Sequence, residues 1–257
     1  MTVMTTLIYD GSFNGFLSCI FKAFDEKLKI ADIQRKSAAQ NGLFASTEEV
    51  YTEVKKAHRV WKGLKAKNNN ALNTAYFAFL SETEGIEVQL YQYISKIIYS
   101  KKNEHLDYSD KLVLYINQLA KKVGREKHRM EAFVRFQLTK DAIYFAIVEP
   151  DFNVLPLISK HFRNRYADQE WLIYDRKRGY GIHYHGDKVE MVTIDLTAQL
   201  HNSLKKSNLL KDEEHQYQEL WGNYFNSTNI KSRINKKLHT QHVPKRYWKY
   251  LSEKKAV

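Results

Sequence analysis

Three cations and one carboxylate share a tight turn, Asp175-Arg176-Lys177-Arg178-Gly179, between the aromatic-rich runs Trp171–Tyr174 and Tyr180–Tyr184. An apolar run, a polar turn ending in Gly and a returning run mark a β-hairpin. A basic turn of this kind can grip a nucleic-acid strand or fill the gap left by an extruded base. It can equally be a solvated loop. Two further clusters carry related chemistry. Arg125, His128 and Arg129 stand at i, i+3 and i+4, on one face of a predicted helix, with Arg135 just beyond. Near the C-terminus, Lys245-Arg246-Tyr247-Trp248-Lys249-Tyr250 interleaves cations with aromatics, and Arg233 lies on the polar side of an amphipathic segment before it. Lys and Arg would neutralise phosphates, while Tyr and Trp, with Tyr180 beside the hairpin turn, could stack on bases. The nucleic-acid-binding set is therefore Arg125, His128, Arg129, Arg135, Arg176, Lys177, Arg178, Tyr180, Arg233, Lys245, Arg246, Tyr247 and Trp248.

Acid–base chemistry has thinner material. His242 could act as a general acid or base with Asp175 orienting or activating it. A salt bridge from Asp175 to Arg176 or Arg178 explains that carboxylate equally well. His183-x-His185 on a strand, or His239-x-x-His242 on a helix, could begin a metal site. Neither pair has an obvious third ligand, and no metal or cofactor is predicted. The sequence holds no glycine-rich dinucleotide fingerprint, phosphate loop, HExxH helix or GxSxG elbow.

The formal net charge of +12 is concentrated. Lys121–Lys140 carries seven cations against two acids, and Lys231–Val257 nine against one, so the remaining residues sum to about minus one. Clustered charge points to a polyanion, nucleic acid first. The hydrophobic fraction of 43% allows a sizeable core, and the 10 Gly and 3 Pro argue against an all-β sandwich. A lone cysteine, Cys19, excludes a disulfide framework and a Cys-ligated zinc. It also suits a reduced, cytoplasmic setting. No apolar run reaches the ~18 residues a membrane span needs, and no signal peptide is read at the N-terminus.

These groups need a scaffold, and the pattern predicts one of class α+β. Leu7-Ile8-Tyr9 reads as a strand, followed by a helix capped by Ser12. Asp10-Gly11 between them is a structural turn or an anion site. Ile30–Thr47 reads as irregular, and the alternation Val50, Thr52, Val54 as a strand. Helices follow over Ala57–Leu64, Ala71–Ser81 and Ile86–Tyr99, and Lys101–Asp107 reads as a linker. Ser109 caps a long helix ending in the first basic cluster. A hairpin over 133–148, a helix over Val154–Tyr166 and the hairpin of Trp171–Tyr184, extended by Asp187–Ile194, predict an antiparallel sheet of four or five strands with a packed helix. Leu204–Glu214 reads as a loop or frayed helix, Tyr217–Phe225 as an aromatic helix stripe, and Ile230–Leu238 as an amphipathic helix. The chain is expected to form a single domain, 1–257, with a possible subdivision into 1–100 and 108–257.

Several motifs run together as a signature: YDGSFNGFL at Tyr9–Leu17, RVWKGLK at Arg59–Lys65, KKVGREKHRMEAFVRF at Lys121–Phe136, VEPD at Val148–Asp151, DQEWLIYDRKRGYG at Asp168–Gly181, and LWGNYFNSTNIKSRINKKLHTQHVPKRYWKYL at Leu220–Leu251. On these the chain resembles, over nearly its full length, a bacterial family of uncharacterised proteins linked to DNA repair or DNA metabolism. The resemblance implies domains that also occur joined to uracil-DNA-glycosylase-like domains, and a radical-SAM partner protein. His183, His185 and His239 depart from the family pattern, whereas His242 matches it. Three functions follow as expectations: a DNA-binding accessory factor in repair, an enzyme acting on DNA by a glycosylase-like or hydrolytic route, or an interaction subunit that presents substrate to the radical-SAM protein.

Overall fold

In the computed structural model, residues 4–39, 46–100, 104–193, 210, 214, 216–217, 220, 240–251 and 254 are described. The chain divides into two compact units, Met1–Gly124 and Arg125–Val257.

The first unit is built on β1 (Thr5–Tyr9), whose Leu7 and Tyr9 are buried. The chain leaves β1 through Asp10-Gly11, with Gly11 at φ +87°, and enters α1 (Phe13–Asp25). Ser12 caps that helix as predicted, its Oγ accepting from the Gly15 amide at 2.9 Å. Asp10 locks the turn by accepting from the Ser12 amide and, through its other oxygen, from the Thr52 hydroxyl. A Cβ at Gly15 would lie 2.3 Å from Asp10 Oδ1, so only glycine lets the helix start this close to the turn.

The segment expected to be irregular instead supplies two strands, β2 (Ile30–Arg35) and β3 (Ser46–Glu49), both parallel to β1 in the order β2-β1-β3. They carry few apolar residues because each is an edge strand, and of the two only Ile33 is fully buried. The strand expected at Val50–Val54 is absent. Val50 donates to Ile8 O, the side chain of Thr52 bonds Asp10, and Glu53 begins the next helix.

Helices α2 (Val54–Lys67), α3 (Asn69–Phe79) and α4 (Ile86–Tyr99) follow, with Gly85 at φ +72° breaking α3 from α4. Then α5 (Lys111–Phe133) runs across the boundary between the units. Its cap is Asp110 rather than Ser109: Asp110 Oδ1 accepts from the Leu112 and Val113 amides.

The second unit is a five-stranded sheet in the order β4-β5-β6-β7-β8: β4 (Gln137–Leu138), β5 (Tyr144–Val148), β6 (Trp171–Asp175), β7 (Tyr180–His185) and β8 (Lys188–Val192). The overall α+β class and both hairpins match expectation. The sheet is mixed rather than antiparallel, because β5 and β6 pair in parallel. Helix α6 (Leu155–Arg165) makes the crossover that parallel pairing needs. Helix α5 continues through Phe133, so β4 is only two residues long. The core forms around Trp171, which stacks on Tyr184 at 5.4 Å and meets Phe162 edge-on at 6.0 Å. Removing a fully buried ring of this size costs about 3–5 kcal/mol. The expected helix stripes at Tyr217–Phe225 and Ile230–Leu238 lie largely or wholly outside the described residues, as does most of Leu204–Glu214.

Candidate nucleic-acid interface

The hairpin turn is positioned by its own carboxylate. Asp175 is fully buried, and its Oδ1 accepts from the Lys177 and Arg178 amides at 2.9 and 3.2 Å. Arg178 Nη1 reaches Asp175 Oδ2 at 2.8 Å. Burial pushes the Asp175 carboxyl above its ordinary range, and the Arg178 bonds only partly offset that. The guanidinium also donates to Pro150 O and Asp151 O, and Lys177 Nζ donates to Asp151 O. The turn is thereby tied to the VEPD segment that follows β5. Tyr180, half-buried, donates its hydroxyl to Asn153 Oδ1.

Two carboxylates gather the remaining cations. Glu126 is 1% exposed. It accepts from the Asp151 amide at 2.9 Å, from the Tyr247 hydroxyl at 2.5 Å and from Arg246 Nη2 at 3.1 Å, with Arg129 Nη1 3.6 Å away. Arg246 bridges on to Asp151 at 2.7 Å. Glu149 lies 3.6 Å from Arg176 Nε and also binds Lys249. Arg176 comes from the hairpin turn and Lys249 from the 3-10 helix Lys245–Tyr250. One side chain thus joins the hairpin turn to the C-terminal basic segment. Partial burial works to raise the Glu149 pKa, but hydrogen bonding by Lys249 and the charge of Arg176 hold it below the usual carboxylate range.

Of the sequence-predicted residues, the structure brings together Arg129, Arg176, Lys177, Arg178, Arg246 and Tyr247. Tyr247 is 2% exposed, and its ring lies under the Arg246 guanidinium at 4.5 Å. Lys245 is exposed over the Trp248 ring at 6.0 Å, and Trp248 Nε1 donates to Val243 O. Arg125 and His128 are exposed on α5, and His128 stands 4.0 Å from Glu131. Arg135 turns back to donate to the Ala132 and Val134 carbonyls at the end of α5. Arg233 and His239 lie outside the described residues. His242 is exposed, and the donors that reach Asp175 are the Lys177 amide and the Arg178 amide and guanidinium. His183 and His185 both pair with Glu170, at 2.8 and 3.0 Å. Among the described residues no group of three His, Cys, Asp or Glu side chains forms a metal site.

The residues missed by sequence reasoning are the acids. Glu126 organises one half of the cluster and Glu149, which the sequence marks only as an isolated carboxylate beside Pro150, the other, while Asn153 holds Tyr180. Glu126 is one of only two acids in the first basic run, an isolation that could have singled it out.

Residues 84–253 match the family model described as a domain of unknown function, DUF4130. The chain belongs to the DUF4130 family. The match contains every carboxylate and cation of the DUF4130 cluster just described. No curated protein matches the chain. Among the described residues, no helix is long and apolar enough to cross a membrane.

Proposed function

We propose that this DUF4130 protein binds nucleic acid, DNA foremost, through the surface carrying Arg176, Lys245, Arg246 and Lys249. The observation that supports this reading is the shared grip of Glu149 on Arg176 and Lys249, which come from segments far apart in sequence. Both are substantially exposed, at 49% and 54%. The cations here outnumber the carboxylates, so the surface retains positive charge after its ion pairs are made. Phosphates can compete with Glu149 for Arg176 and Lys249, because both cations stand in solvent and ion pairs near the surface are worth only about 0–1 kcal/mol. The wider setting is a bacterial, cytoplasmic accessory factor in DNA repair or metabolism, working beside a radical-SAM protein, and it rests on the sequence resemblance alone. A hydrolytic role for His242 with Asp175 is the lesser reading, since Asp175 is occupied as the anchor of the turn.

Titration of a labelled 20-nucleotide duplex by fluorescence anisotropy tests the proposal. Binding should weaken steeply with salt, and Arg176→Gln/Lys249→Gln should reduce the slope of log K against log salt by about 1.8. An unchanged slope and affinity in that variant would exclude this surface.

A further inference from the structure

Helix α2, in the first unit, carries six Lys and Arg in 14 residues and no carboxylate. Its buried stripe is Ala57, Val60 and Leu64. At 3.6 residues per turn, the opposite side presents Lys55, Arg59 and Lys62 at i, i+4 and i+7, flanked by His58 and Lys65. All five are exposed. Most cations of the second unit's cluster are matched by carboxylates. On α2 only Lys56 is so matched, by Glu53 at 2.6 Å, while Lys67 donates to the Ser100 carbonyl. Among the described residues, Lys55, Arg59, Lys62 and Lys65 have no carboxylate partner at ion-pair distance. Arg59 lies over the Phe21 ring at 4.9 Å, beside a hollow of about 580 Å³ lined by Phe21, Phe24 and Gly63, with Asp25 also on its lining.

We infer that the outer face of α2 is a second contact for a nucleic-acid phosphate backbone, separate from the surface on the second unit and outside the residues matched by the family model. Charge complementarity selects this occupant. Three cations repeat over about 10.5 Å of helix axis, roughly three base-pair rises of one strand. A membrane surface is a poorer fit, because the apolar side of α2 is used in its own core and no Trp, Phe or Leu shares the face of Lys55, Arg59 and Lys62 to insert. An acidic protein surface is the competing occupant, and the polyglutamate arm of the test below separates it from nucleic acid.

The test uses the full chain, a labelled 20-nucleotide single strand and the matching duplex, and a salt series. Lys55→Gln/Arg59→Gln/Lys62→Gln keeps good helix formers at exposed positions, so its melting curve reports whether folding is intact. The slope of log K against log salt should fall by about 2.7 on the duplex and about 2.1 on the single strand. An unchanged slope and affinity, with Arg176→Gln/Lys249→Gln still weakened, overturns this inference and leaves the proposed function in place. The opposite pattern supports this inference and removes the second-unit surface. Polyglutamate binding that is lost in the triple variant while nucleic-acid affinity is unchanged also overturns it.

Discussion

Arg178 Nη1 sits 2.8 Å from Asp175 Oδ2, and the two side chains are only 10% and 0% exposed. The ion pair is therefore the inner support of the turn between β6 and β7, while Arg176 is displayed outside it. Removing one partner of a buried pair leaves the other uncompensated.

Arg178→Met should accordingly lower stability by about 3–5 kcal/mol at neutral pH. The sign of its pH dependence follows from Asp175, whose pKa is already raised and rises further without the guanidinium. A carboxyl with a raised folded-state pKa contributes stability that is present below its unfolded value and lost as pH rises through the folded one. The variant's deficit should shrink on acidification. Chemical denaturation at several pH values measures it, and a deficit independent of pH would contradict the assignment.

Glu149→Gln removes the carboxylate that holds Arg176 and Lys249. Nucleic-acid affinity should rise by about 1 kcal/mol, or roughly fivefold, because phosphate no longer competes with Glu149. The depressed Glu149 pKa adds stability above the ordinary carboxylate value that is lost as pH falls through the folded value, so the variant should lose less stability than the native chain on acidification. Anisotropy and acid-unfolding curves read the two effects.

Tyr247→Phe keeps the ring and deletes the hydroxyl that donates to Glu126. A hydrogen bond to a charged group contributes about 1.5–3 kcal/mol, so the melting temperature should fall. Nucleic-acid affinity should change little, since Arg246 keeps Glu126 and Asp151 when it loses the hydroxyl and the buried ring offers no face to a base. A melting temperature equal to that of the native chain would show that the bond is dispensable.

His105 is buried, and its Nδ1 lies 2.7 Å from the buried Tyr93 hydroxyl. Burial holds the imidazole below its ordinary value of 6.5. The unfolded chain then takes up a proton first, so stability is complete above that value and falls as pH drops below it. His105→Gln should flatten this part of the profile, which thermal melts from pH 8 to 5 would follow.

The hairpin at Trp171–Tyr184 was legible because alternation, aromatic content and a Gly-bearing turn all agree. The parallel pairing of β5 with β6 was not, since a buried strand looks the same beside either kind of neighbour. Edge strands β2 and β3 are hard to read, because β3 is wholly polar and the apolar residues of β2, Ile30, Ala31 and Ile33, do not alternate. Charge counting located the basic segments but hid the carboxylates that arrange them, because Glu126 acts through residues such as Arg246, 120 positions away. It also passed over α2, whose cations vanish into a near-neutral sum once distant acids are added. Asp175 shows the limit most plainly: sequence leaves a catalytic and a structural role open, and its burial and its three donors become visible only in the fold.

The clamp of Arg178 on Asp175, Pro150 and Asp151 also bears on how cheaply the neighbouring Arg176 can bind. Immobilising a long side chain on association costs about 0.5–1.5 kcal/mol, and a loop that must be ordered adds more. Here the backbone beneath Arg176 is already held, its amide donating to Val148 O at 3.0 Å. Only the outer side chain is left to order, so a nucleic acid bound there as proposed would meet a preorganised mount whose entropic cost was met during folding.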